Sequence, residues 1–69
     1  MKFNYDKFEE SLEVLLAQDR INCWRLLTAG QYRINEKLDI YPRRKKYFWV
    51  PTEERGEYDD LISLIDLVF

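Results

Sequence analysis

The chain contains no histidine. It therefore lacks the usual general base near neutral pH and the commonest metal ligand. Its one cysteine, Cys23, provides neither a disulfide framework nor the thiol pair of a zinc site. A lone thiol suits a reducing compartment, and its expected role is a small, half-buried hydrophobe rather than a nucleophile. Gly30 and Gly56 are isolated, so there is no glycine-rich phosphate loop. Ser11 and Ser63 fall on expected helices with no base to activate them. Asp59 and Asp60 are neighbours on an expected helix and point apart, which favours dipole matching over a cation site. No stretch approaches the roughly 20 apolar residues that span a membrane. The opening MKFNYDKF leads into no apolar run, so no signal peptide is expected. Together these absences predict a soluble cytoplasmic protein, not an enzyme, with no cofactor and no metal.

What remains is a chain of 69 residues, read as one domain over 1–69, with 16% aromatic and 35% charged residues and a net charge of -2. A core this small is marginal, and its rings or a partner chain are the natural sources of further stability. The charge balance excludes a globally basic nucleic-acid binder.

Phe8, Leu12, Leu15 and Leu16 recur at helical spacing, predicting a helix over 6–18 with Asp6 or Asn4 as cap. Cys23, Leu26 and Leu27 continue the stripe, so residues 19–29 are expected to be helical, either extending the first helix or forming a second, with Gly30 as the stop. From Gln31 the period becomes two. A three-residue turn at Asn35, Glu36 and Lys37 sets Tyr32 opposite Ile40, Ile34 opposite Leu38, and Arg33 opposite the oppositely charged Asp39.

The next hairpin admits two registers. The preferred one pairs Ile40 with Phe48, places the loop at Pro42 to Lys46, and leaves Tyr41, Tyr47 and Trp49 on the outer face. A slip of one residue buries Tyr47 and Trp49 and exposes Phe48 and Val50 instead. The first is preferred because amphipathic rings tolerate water better than Phe and Val. A last helix is expected from about Tyr58 to Val68, with Tyr58, Leu61, Ile62, Ile65 and Phe69 facing inward. The expected fold is α+β, a three-stranded antiparallel sheet with helices packed on one face, in the order α(α)βββα.

The candidate site is the outer sheet face and its loop: Arg33, Tyr41, Arg43, Arg44, Lys45, Lys46, Tyr47 and Trp49. Tyr, Trp and Arg are the residues that anchor protein interfaces, and a protein partner is expected. The same basic loop and rings would also suit phosphates and bases, so a small nucleic-acid-binding module is the alternative. A homodimer through the open face is a third reading. The acidic residues Glu9, Glu10, Glu13, Glu53, Glu54, Glu57, Asp59 and Asp60 are read as solvated helix faces, with mimicry of a phosphate track as the functional alternative.

Asp39, Tyr41 and Pro42, followed by Lys46, Tyr47 and Trp49, form a D-x-Y-P strand end leading through a polar turn to an aromatic strand and a helix. This segment, from Gln31 to Tyr58, resembles a pattern common in small accessory proteins of bacteriophages and mobile elements. Members usually carry a Thr-Gly turn where this chain has Arg43 to Lys46. The resemblance implies a short stoichiometric binder that blocks host defence machinery, of which anti-CRISPR proteins are one kind. Its partner would be a host protein, within a nucleoprotein complex in some cases, and its location the host cytoplasm.

Overall fold

The computed structural model describes residues 2–69 and has two helices and five strands. Helix α1 spans Tyr5–Ala17, followed by strands β1 (Trp24–Thr28), β2 (Gln31–Ile34), β3 (Leu38–Tyr41), β4 (Lys46–Trp49) and β5 (Glu54–Glu57), then helix α2 (Leu61–Val68). The strands form one antiparallel sheet in sequence order. The fold is α+β, but the expected three-stranded sheet is corrected to five strands. Among the described residues no helix is long and apolar enough to cross a membrane.

The first correction lies at residues 19–29. Asn4 caps α1, its Oδ1 accepting from the Lys7 N–H at 3.1 Å. At the other end Asp19 takes a left-handed φ of 58°. The Asp19 N–H bonds to the Leu16 carbonyl and the Arg20 N–H to the Leu15 carbonyl, at 3.1 and 2.9 Å. This is the pairing that ends a helix at a left-handed residue, here with Asp where Gly is usual. Beyond it, the Asn35 side chain accepts from the N–H groups of Asn22 and Cys23 at 2.6 and 3.1 Å, holding the start of β1 extended. The apolar spacing that predicted a helix thus belongs to an edge strand. Gly30, at φ 82°, turns the β1–β2 hairpin rather than stopping a helix.

The second correction is β5, in the segment expected to be a turn. It pairs along β4, and the last helix starts three residues later than expected, capped by Asp60 on the Ser63 N–H at 3.1 Å. The expected β2–β3 register is observed, with Tyr32 opposite Ile40 and Arg33 opposite Asp39. The preferred β3–β4 register is not. Leu38 faces Trp49, Asp39 faces Phe48, Ile40 faces Tyr47 and Tyr41 faces Lys46, which is the one-residue slip. The turn therefore holds four residues, 42–45, with Lys45 left-handed at φ 54°.

Both helices cover the same face of the sheet. Leu12, Leu15, Leu64 and Ile65 from the helices meet Tyr32, Ile34, Leu38 and Ile40, with Ile21 completing the buried set. Tyr32 is the hinge of the α1 side. Its ring lies 4.9 Å from Phe8 and 5.9 Å from Trp24, and its hydroxyl donates to Glu9 Oε2 at 2.6 Å. Burial of a side chain of this size contributes about 1.5–3 kcal/mol. Under α2, Trp49 packs edge-on against Phe69, 5.5 Å between centroids. The Tyr47 ring lies over Gly56, where a Cβ would sit 3.0 Å from ring atoms. Ile62, expected to face inward, is 46% exposed, because α2 turns Leu64 and Ile65 to the sheet.

Gly56→Ala should therefore destabilise the fold by about 1 kcal/mol, since displacing Tyr47 outweighs the gain in strand propensity. In a Tyr47→Ala background the same change should become stabilising. Urea denaturation of the four proteins checks this sign reversal.

Burial pushes the Tyr58 phenol up to about 12, and burial together with the Glu9 bond holds Tyr32 higher still. Both values exceed the ordinary 10.0 of the unfolded chain, so their contribution is complete below that pH and is lost as pH rises through the folded values. Melting temperature should fall steeply above pH ~10, and Tyr58→Phe should flatten the fall. Thermal melts on both sides of that pH test it.

Candidate binding face

Because the helices share one side, the other side of the sheet is uncovered. One row crosses all five strands there through successive pairs: Arg25, Arg33, Asp39, Phe48 and Arg55. Three interactions hold it. Arg25 grips Glu36 with two 2.9 Å contacts. Arg33 grips Asp39 at 2.7 and 3.0 Å. The Arg55 guanidinium stands over the Phe48 ring, 5.4 Å from its centroid.

Asp39 decides the electrostatics of this face. Its side chain is 4% exposed although it points away from the helices, while Arg33 is 26% exposed. Gln31 Nε2 donates a third bond to it at 3.2 Å. The Asp39 bond is the main reason the Arg33 guanidinium holds its proton even more firmly than usual. The Arg25 bond likewise holds the exposed Glu36 carboxyl below the usual range. Arg25 and Arg33 are thus already neutralised.

Arg44, Lys46 and Arg55 have no ionic partner among the described residues. With Tyr41, Phe48 and Asp39 they line a shallow open depression of about 570 Å³. Free positive charge is concentrated at this one corner, beside two half-buried rings. The sequence from 24 to 57 carries eight Lys/Arg against five Asp/Glu, a net of +3, and the remainder, with both helices, carries -5. A negative partner group is therefore drawn to the sheet side rather than the helix side.

The expected site residues divide accordingly. Arg33 and Tyr41 lie on the open face, and Lys46 and the exposed turn residues Arg43 and Arg44 flank it. Lys45 is turned away, its Nζ donating to the Asp59 carbonyl at 3.0 Å. Tyr47 and Trp49 are corrected to the helix-covered face, where Gly56 and Phe69 make room for their rings. Phe48 and Arg55 were missed. Arg55 was readable in principle from the alternation Glu54, Arg55, Gly56, Glu57, which has a strand period. Val50, exposed in the slipped register on paper, is half-buried at the end of β4.

Comparison with protein-family models, with curated proteins and with solved structures found no match for this chain.

Arg33→Ala should cost about 3 kcal/mol by leaving a buried carboxylate unpaired. Replacing both partners, Arg33→Met with Asp39→Leu, should recover most of that loss. Chemical denaturation of the single and double variants distinguishes the pair from simple loss of packing.

Proposed function

We propose that this protein is a non-enzymatic binding protein that docks a partner protein on the open sheet face. The observation that carries the reading is the corner where Arg44, Lys46 and Arg55 stand without ionic partners around Tyr41 and Phe48. Tyr41 and Phe48 replace Tyr47 and Trp49 as the anchoring rings, and the guanidinium groups supply charge-assisted bonds. The resemblance of Gln31 to Tyr58 to phage accessory proteins extends the proposal to an inhibitor or modulator. It would act in a host cytoplasm on a defence complex of the CRISPR kind, by contact rather than by chemistry.

A protein partner is favoured over nucleic acid by how the charge is distributed. A phosphate track needs cations along the whole face. Here Arg25 and Arg33 are engaged by Glu36 and Asp39, which leaves charge for one or two anionic groups at one end.

The test is capture from a bacterial lysate with wild type, a Tyr41→Ala/Phe48→Ala variant and an Arg44→Ala/Arg55→Ala variant, each checked for retained fold, with and without nuclease. A protein captured by wild type, resistant to nuclease and lost with both variants, supports the reading. Capture abolished by nuclease moves the site to nucleic acid, and capture indifferent to both variants removes the open face from consideration.

A further inference from the structure

The sheet has two open edges, β1 and β5. At β5 the direction of the free backbone groups follows from the neighbouring bonds. The Tyr58 N–H bonds to the Lys45 carbonyl at 2.9 Å, one step beyond the Lys46–Glu57 pair. Bonded and non-bonded pairs alternate in an antiparallel ladder, so Glu54 and Gly56 bond to β4, while the N–H and C=O groups of Arg55 and Glu57 point off the sheet. On the far side of β4 the Val50 N–H bonds to the Lys37 carbonyl, which gives the same parity. Glu54, Arg55 and Glu57 are exposed, and no described turn or loop bonds to the outward groups.

Beside this edge the helix layer stops short. Two adjoining hollows of about 300 and 330 Å³ lie between α2 and the end of the sheet, and they share Tyr47 and Leu67 as one groove. Leu67 is 78% exposed, more than any other large hydrophobic among the described residues, and α2 completes the core with Leu64 and Ile65 instead. The Tyr47 ring lies over Gly56 and keeps the floor apolar.

We propose that the β5 edge and this groove are a docking site for an extended, basic segment of a partner protein, which adds to the sheet as a sixth strand. The backbone selects a strand. Outward N–H and C=O groups in a row are matched by another backbone running alongside, and alternate side chains of that strand then fall on the helix side, where an aliphatic one meets Leu67. The charge selects a basic one. Glu54, Glu57, Asp59 and Asp60 all line the groove, and no Lys or Arg does. None of the four is in an ion pair among the described residues; Glu54 and Asp60 accept only from the neutral groups of Thr52 and Ser63. A second copy would set the same four carboxylates against these, which like-charge repulsion disfavours. The β1 edge carries one charge, Arg25, already held by Glu36, and offers a basic strand no attraction.

The probes are three synthetic peptides of about eight residues. One alternates Val with Lys, one alternates Val with Glu, and the third is the Lys peptide N-methylated throughout, which keeps its charge and removes its backbone donors. Each is titrated into the isotope-labelled full chain and followed by amide NMR shifts and hydrogen exchange. The Lys peptide should shift the amides of Arg55, Glu57 and Leu67 and slow exchange at Arg55 and Glu57. The Glu and methylated peptides should bind weaker by on the order of tenfold. Glu57→Gln with Asp59→Asn should weaken the Lys peptide roughly fivefold. Arg55→Pro should weaken it too, although a cation is removed, because the only donor lost is one on the free edge. If that variant misfolds, the methylated peptide carries the same test.

No shift at β5, equal binding of the Glu or the methylated peptide, indifference to the carboxylate variant, or shifts centred on β1 overturns the proposal. So does a dimer of the protein alone, seen in sedimentation and abolished by Arg55→Pro, which assigns the edge to a second copy. Shifts confined to Tyr41 and Phe48 also overturn it, without bearing on the role of the open face.

Discussion

Two helices totalling six turns or so can blanket one side of a five-stranded sheet and no more. That constraint governs this protein. Because side chains alternate across a strand, parity decides which side of the sheet a residue faces. Tyr32, Ile40, Tyr47 and Gly56 form one row on the helix side, extended at the sheet edge by the exposed Leu26; Arg25, Arg33, Asp39, Phe48 and Arg55 form the row behind it. The core and the candidate binding face are thus two readings of one hydrogen-bond register, and neither can shift without the other.

Legibility followed the strength of the local signal. The first helix and the β2–β3 hairpin were readable, since a clean 3.6-residue stripe predicted one, and turn chemistry and an Arg33–Asp39 pair predicted the other. Residues 19–29 misled because Cys23, Leu26 and Leu27 match a helical spacing, while the stop is an Asp in left-handed conformation. The force that extends the segment is the side chain of Asn35, twelve to thirteen residues away. The β3–β4 register was decided on the preference of rings for water. The register is set instead by β5, whose Gly56 opens the space Tyr47 fills, and by Phe69, whose ring closes on Trp49. Non-local room outweighed residue type.

The two sides of the sheet now carry opposite characters. The helix layer is acidic with an apolar groove; the open face is basic at one corner and neutralised elsewhere. They meet at the turn of residues 42–45. Arg44 reaches the open face, while Lys45 bonds to the start of α2 and its carbonyl accepts the Tyr58 N–H at 2.9 Å. Pro42, buried beneath, fixes where the turn begins.

The left-handed turn residues have a bearing on how this sequence could change over time. Asp19, Asn35, Glu36, Lys45 and Glu53 all hold positive φ, at roughly 1 kcal/mol apiece for residues with a Cβ. Glycine would relieve that strain, yet the chain spends charged or amide side chains at every one. Asn35 repays its position by anchoring β1, and Lys45 by tethering α2. Asp19 and Glu53 form no such bond among the described residues. These two turns are a reserve of stability left unused. Drift there toward glycine would raise the margin and let the domain absorb otherwise damaging substitutions on either of its faces.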